Sequence, residues 1–231
     1  MFGRKNKKKK AWKLGHRLIT ISDSRSINAE QFRMIRTNIS FALPDYGVKT
    51  IVVTSSIPGE GKSINAANLA VVFAQDDKRV LIIDADLRRP TLHHTFGIFN
   101  MTGLSSVLIR RSTLSEAIQE TPIVGLSILP SGPIPPNPAE LLSSNVMAVL
   151  IEEIKKTYDI VIIDAPPILP VTDAQILTNK CDGTLLIINS GVVKKEEVIK
   201  AKNILTISKG KIVGVILNNM KMSQNSQYTY E

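Results

Sequence analysis

The stretch SSIPGEGKS, Ser55 to Ser63, follows directly on the apolar run TIVVT of Thr50–Thr54. A short β-branched run, a glycine turn, then a lysine and a hydroxyl residue describe a strand, a loop and the first turn of a helix. Gly59 and Gly61 let backbone N–H groups turn inward around phosphate oxygens. Lys62 reaches towards β- and γ-phosphates, and Ser63 offers its hydroxyl to Mg²⁺ at the helix start. A turn that merely joins strand to helix has no need of the Lys-Ser pair, so the full Pro-Gly-Glu-Gly-Lys-Ser run favours a phosphate cradle. The usual form of such loops opens on Gly; this chain has Ser56 there.

Outward from this loop, continuous Val/Ile/Leu runs alternate with helical stretches. Strands are expected at Thr50–Thr54, Val80–Asp84, Leu126–Leu129, Ile160–Asp164, Thr184–Asn189 and Ile212–Leu217. Runs that do not alternate with polar residues suit parallel strands covered on both faces. A helix capped by Ser26 is expected to run to Leu43. Further helices are expected at Lys62–Gln75, Leu104–Glu120 (broken near Arg111), Pro138–Thr157, Asp173–Asn179 and Lys195–Ser208. The alternation predicts an α/β fold: a doubly wound, mostly parallel sheet of P-loop NTPase type, flanked by helices. Ligands of such sheets bind outside the carboxyl ends of the strands. Three acids stand at those ends: Asp84 and Asp86 in VLIIDAD, and Asp164 in IVIID. A carboxylate at the tip of a buried apolar strand suits Mg²⁺, held directly or through water. One such acid alone would serve equally as the cap of the following helix.

Composition bounds the rest. The chain has 231 residues, 43% of them hydrophobic, and a net charge of +9. Residues 1–17 carry eight cations and no acid, and subtracting those eight from +9 leaves +1 for the remainder. The basic character therefore belongs to a tail rather than to a domain surface, and such tails are drawn to anionic lipid, nucleic acid or acidic partners. The expected organisation is a basic flexible tail over 1–25, a P-loop domain over 26–219 and a flexible tyrosine-bearing tail over 220–231. The single cysteine, Cys181, cannot form an internal disulfide and reads as a small buried residue in a reducing compartment. No apolar run reaches the length of a membrane span.

SSIPGEGKS, VLIIDADLRRP and IVIIDAPP together resemble the Walker A, A′ and B motifs of the bacterial tyrosine kinases that accompany capsule and exopolysaccharide synthesis. LPSGPIPPNPAELL agrees, and so does EQFRMIRTNI, which matches a Glu-x-x-Arg-x-x-Arg pattern at Glu30, Arg33 and Arg36. The resemblance covers roughly Ser26 to Asn219. It implies an ATP- and Mg²⁺-dependent protein-tyrosine autokinase. ATP would be bound by Ser56, Pro58, Gly59, Glu60, Gly61, Lys62, Ser63 and Asn218, and the metal by Ser63, Asp86 and Asp164. Lys62, Asp84, Asp86 and Asp164 would carry catalysis, with Asp84 orienting or deprotonating the incoming tyrosine hydroxyl. Arg88 and Arg89 would either hold phosphates or cover the loop. Glu30, Arg33 and Arg36 would bridge the subunits of a ring-like homo-oligomer, and Tyr228 and Tyr230 would receive phosphate from a neighbouring subunit.

The implied partners are a transmembrane polysaccharide co-polymerase that activates the kinase, a cognate tyrosine phosphatase and, through the basic tail, an anionic membrane surface. Nucleic acid is not expected, since no aromatic-rich binding face accompanies the lysines. The implied place is the cytoplasm, peripheral to the inner face of the membrane through a partner. Two rival readings share the motifs: a ParA/MinD-type ATPase switch and a nucleotide-dependent scaffold. The switch proteins carry a second lysine just after the first loop residue, where this chain has Ile57.

Overall fold

The computed structural model describes residues 18–42 and 49–220. In chain order the strands are β1 (Thr50–Ser55), β2 (Val80–Asp84), β3 (Gln119–Glu120), β4 (Leu126–Leu129), β5 (Ile160–Asp164), β6 (Gly183–Asn189) and β7 (Ile212–Asn218). They form one sheet in the order β3-β4-β2-β5-β1-β6-β7, parallel throughout except for β3 at one edge. The helices are α1 (Ile19–Ser22), α2 (Ile27–Ala42), α3 (Lys62–Ala74), α4 (Leu92–Phe96), α5 (Leu104–Leu108), α6 (Leu114–Ala117), α7 (Pro138–Ser143), α8 (Asn145–Thr157), α9 (Asp173–Lys180) and α10 (Lys195–Ile207).

The unbroken apolar strands are explained by two cores. On one face Ile51, Val53, Ile82, Ile162 and Ile187 pack under α3, with Leu92 and Phe96 of α4 and the inner side of α2. On the other, Val52, Leu81, Ile83, Val161 and Ile163 pack under α5, α7, α8, α9 and α10. Neighbouring residues of β1 point to opposite cores, so both faces of the central strand are dry, as a doubly wound sheet requires.

Four local expectations change. The tail boundary at residue 25 moves back, because Leu18 is fully buried and Thr20 gives its N–H and hydroxyl to the buried Asn68 amide oxygen of α3 (3.1 and 2.9 Å). Residues 18–20 therefore dock on the domain. The helix expected over Leu104–Glu120 is two short helices and β3: Arg110 has φ +60°, and Thr113 opens α6 with a capping box to Glu116. The helix expected over Pro138–Thr157 divides at Ser144, whose hydroxyl accepts the Met147 N–H and starts α8 afresh. The short α4, just beyond the A′ motif, was not expected. The Ser26 cap is present, its hydroxyl accepting the Ala29 N–H at 3.2 Å. No helix among the described residues is long and apolar enough to cross a membrane.

The N-terminal end of β1 is held from the far end of the chain. The Asp182 carboxylate accepts the N–H groups of Lys49 and Thr50 (3.1 and 2.9 Å), the Thr50 hydroxyl (2.8 Å) and the Lys155 ammonium (3.1 Å). Burial pushes the Asp182 pKa up, but the bonds from Thr50 and Lys155 outweigh it and hold the group below 3.8. A lowered carboxylate pKa stabilises the fold above the ordinary value and ceases to do so as pH falls through the native one. Asp182→Ala, which leaves the buried Thr50 groups without an acceptor, is expected to cost about 2 kcal/mol, a fall in Tm of roughly 4–8 °C at neutral pH. Thermal melts should show the gap between wild type and variant closing below about pH 4.

Candidate active site

Five consecutive backbone N–H groups, from Gly59 to Ser63, donate to no acceptor among the described residues. This is the donor set that a polyphosphate needs. Gly59 and Gly61 make the cradle possible by adopting φ +86° and +88°, which L side chains rarely do. A Cβ on Gly61 would also lie 2.3 Å from the Asn218 amide nitrogen, whereas the space beside Gly59 is open. Gly61 is both the end of the loop and the N-cap of α3, so the helix amides continue the loop's donor array.

The acids come from the neighbouring strands. β2 and β5 pair in register with Asp84 opposite Asp164, and β5 in turn pairs with β1. Both carboxylates thus reach the same edge of the sheet at the same level, beside the loop that leaves β1. Asp84, Asp86 and Asp164 are all buried. Lys62 lies among them, its ammonium 2.8 Å from Asp86, 3.4 Å from Asp164 and 3.1 Å from the Ser63 hydroxyl. Burial opposes the ammonium charge, but attraction to Asp164 and Asp86 prevails and the Lys62 pKa rises. Burial raises the Asp164 pKa despite the lysine. Asp84 is pushed up to about 8, first by burial and then by Asp164.

The donor chemistry fits a hard cation. One oxygen of Asp164 and one of Asp84 are buried without a hydrogen-bond partner, and the Ser63 hydroxyl stands beside Lys62. Among the described residues no three His, Cys, Asp or Glu side chains converge as a metal cage. With the Asp84 oxygen left for the acceptor side, the Asp164 and Asp86 carboxylates and the Ser63 hydroxyl, completed by phosphate oxygens and water, would make the kind of donor set that Mg²⁺ favours.

The other expected residues divide. Asp84 has a second duty: its bonded oxygen accepts the Thr91 and Leu92 N–H groups (both 3.0 Å) and so fixes the start of α4. Of the two arginines, Arg88 covers rather than reaches: it forms two bonds, 2.9 and 3.0 Å, to the fully buried Asp173 of α9. Arg89 is exposed, and its side chain has no hydrogen-bond or ion-pair partner among the described residues. Glu60 is turned inward, away from the cradle. Ser56 is fully buried with its hydroxyl unpartnered, Pro58 is exposed, and the Asn218 amide donates to the Glu60 carbonyl at 2.9 Å. Glu30 and Arg33 pair with each other on the exposed side of α2 (2.6 Å), while Arg36 turns inward to the Val72 carbonyl (3.0 Å) and Asp76 (3.2 Å). Tyr228, Tyr230 and the basic tail up to residue 17 lie outside the described residues.

Sequence reasoning did not assign Asp173 or Asn65. Asp173 was visible only as an acid in a first helical turn, and its partner lies 85 residues away. Asn65, one turn into α3, gives its amide to the Gly61 carbonyl (2.9 Å) and stiffens the loop's exit.

A family model described as "AAA domain" matches residues 48–200. Over 97% of its length the chain is 50% identical to tyrosine-protein kinase YwqD of Bacillus subtilis (strain 168), covering 94% of that protein. Its fold is similar to that of the chimerical protein CapA2B2, with a TM-score of 0.87 and 44% identity over 90% of this chain and 91% of that one. It is similar also to the kinase domain of the Escherichia coli tyrosine kinase ETK, with a TM-score of 0.86 and 33% identity over 93% and 84% of the two chains. The likeness to the cell division ATPase MinD of Pyrococcus furiosus is one of fold alone, with a TM-score of 0.65 at 24% identity over 76% and 74% of the two chains. Half-identity along nearly the whole chain, with the same fold, establishes that the chain belongs to the family of bacterial tyrosine-protein kinases.

Proposed function

We propose that the chain transfers the γ-phosphoryl group of ATP, with Mg²⁺, to tyrosine hydroxyls, its own Tyr228 and Tyr230 in a neighbouring subunit among them, and so regulates capsule or exopolysaccharide synthesis and export. The observation that carries the reading is the placement of Lys62 between the free N–H groups of the loop and the acids at the ends of β2 and β5. The N–H groups of Gly59 to Ser63 hold the phosphates. Lys62 exchanges its carboxylate partners for phosphate oxygens, which releases Asp86 and Asp164. Ser63, Asp86 and Asp164 hold the metal, which when bound supplies charge neutralisation on the phosphoryl oxygens. Asp84 faces the acceptor hydroxyl with its unbonded oxygen and receives its proton. A carboxyl shifted upward is better matched to that transfer than an ordinary one. Its bonded oxygen keeps it in place through α4.

The partners follow the same reading: a membrane-spanning activator, a cognate phosphatase and, for the lysine-rich tail, anionic lipid at the inner face of the membrane. Each tail lysine near such a surface contributes on the order of 1 kcal/mol, screened by salt. Self-association falls to Glu30, Arg33 and Arg36 of α2, of which Glu30 is the exposed member.

Lys62→Ala and Asp164→Asn are each expected to lower phosphotyrosine formation at least about 100-fold, read by phosphotyrosine immunoblot after incubation with Mg²⁺ and ATP. A folded Lys62→Ala protein that labels normally would end the kinase assignment of this loop.

Changing Tyr228 and Tyr230 together to Phe should remove most self-labelling and leave ADP binding unchanged. Mass spectrometry that places the label chiefly on Tyr46 or Tyr158 would sink the tail mechanism.

Glu30→Lys forfeits an intrahelical pair worth only about 0.2–0.5 kcal/mol, so the fold should persist. Sedimentation should nevertheless show smaller species than wild type; unchanged size distributions would remove α2 from the interface.

A further inference from the structure

Glu60 sits inside the phosphate loop, one residue before Gly61, yet is only 1% exposed. Its carboxylate touches neither the space the phosphates would fill nor any cation. One oxygen accepts the Ile57 N–H at 2.8 Å, the other the Asn189 N–H at 2.9 Å. Its carbonyl accepts the Asn218 amide at 2.9 Å. Asn189 ends β6 and Asn218 ends β7, and the two ends are themselves joined by the Asn219 amide on the Asn189 side-chain oxygen (3.2 Å) and the Ser190 N–H on the Asn218 carbonyl (2.9 Å). A buried carboxylate close to a site for phosphate is electrostatically adverse. Its presence there calls for a task that another side chain cannot perform.

That task is geometric. Two backbone N–H groups from different elements converge on one buried spot, and both need an acceptor. A carboxylate offers two acceptor oxygens and no donor; an amide of the same shape would set its NH₂ against one of the two N–H groups. The bond to Ile57 closes the loop across three residues, and the bond to Asn189 ties that closed loop to β6, the neighbour of β1 on the side away from β5. We propose that Glu60 is the positioning residue of the phosphate loop: it takes the Ile57 N–H out of the cradle and holds the five following N–H groups, from Gly59 to Ser63, aimed at a single phosphate position. The proposal rests on the reading of this loop as a phosphate cradle. The Glu60 carboxylate acts through the loop and, unlike the residue's own N–H, makes no contact with the nucleotide.

The test is the isosteric Glu60→Gln, studied in the full chain. Calorimetry with Mg²⁺ and ADP should show affinity weakened roughly 10- to 100-fold, the loss of one charge-assisted bond from a preorganised site. In turnover the KM for ATP should rise by a similar factor while kcat falls less than about threefold, because Lys62 and the acids are unchanged. Amide hydrogen exchange should quicken at Ile57 and Asn189. Unchanged ADP affinity in the folded variant would overturn the proposal alone. Weakened affinity without faster exchange at Ile57 and Asn189 would also overturn it, since that pattern marks a direct nucleotide contact. If wild-type protein bound no ADP, the phosphate-cradle reading would fall and the proposal with it. Should Glu60→Gln not fold, exchange in the wild type still decides: slow, equal protection of the Ile57 and Asn189 amides supports the proposal, and an unprotected Ile57 amide refutes it.

Discussion

Everything in this molecule follows from the parallel pairing of β2 with β5, which sets Asp84 directly opposite Asp164 at the same edge of the sheet. Two carboxylates on adjacent strand ends, both without solvent exposure, repel each other in a medium that screens poorly. The repulsion is relieved from two sides: Asp84 holds its proton more readily, its pKa pushed up to about 8, and the Lys62 ammonium pairs with Asp164 and Asp86. The same constraint explains why the lysine must come from the first turn of α3. From that position its ammonium reaches Asp86, Asp164 and the Ser63 hydroxyl while its own N–H belongs to the loop's donor array. A ligand that brings its own divalent cation relieves both halves at once, taking the lysine with its phosphates and the acids with its metal. On the proposed reading, this pairing of a lysine with acids would be the recognition element for a metal–nucleotide pair.

Around that cluster the loops are tied down one by one, each by a buried acid. Asp84 anchors the start of α4, Asp173 grips Arg88 of the A′ loop, and Glu60 closes the phosphate loop onto β6. Loops at a sheet edge are ordinarily the mobile part of a fold. Here three of them are pinned by carboxylates whose lone pairs match backbone or guanidinium donors, which is how a site acquires geometry before its substrate arrives. Arg88 is instructive because its role is decided by Asp173. A guanidinium committed to two bonds with a fully buried carboxylate is not available to a phosphate without stranding that charge. Arg89, one residue on and exposed, carries no such commitment.

The sequence disclosed the parts whose signals are local. Unalternating Val/Ile runs revealed buried parallel strands, the glycine–lysine–serine spacing revealed the loop, and acids at strand ends revealed the metal side of the site. Hidden were the features that depend on partners far along the chain. Nothing in PGEGKS says that Glu60 turns inward, because the N–H groups of Asn189 and Ile57 converge only after β1 and β6 have paired. The tail boundary moved for the same reason: the short run Leu18–Ile21 does not show itself as a docked segment until α3 supplies Asn68 for Thr20. Helix breaks were legible in kind but not in place. Arg110 and Ser144 are ordinary helix residues by propensity, and it is a left-handed backbone at one and a capping hydroxyl at the other that end the helices.

The position after Ser56 separates this chain from ATPase switches of the same fold in physical terms. Those proteins place a second lysine there to reach across a dimer, which requires the residue's backbone to present its side chain outward to a partner's nucleotide. In this chain the Ile57 N–H is bound by Glu60 and its carbonyl accepts the Ser55 hydroxyl at 2.9 Å, so the backbone on both sides of Ile57 is consumed in closing the loop on itself. The residue is a hinge pin of its own subunit rather than a probe into the next.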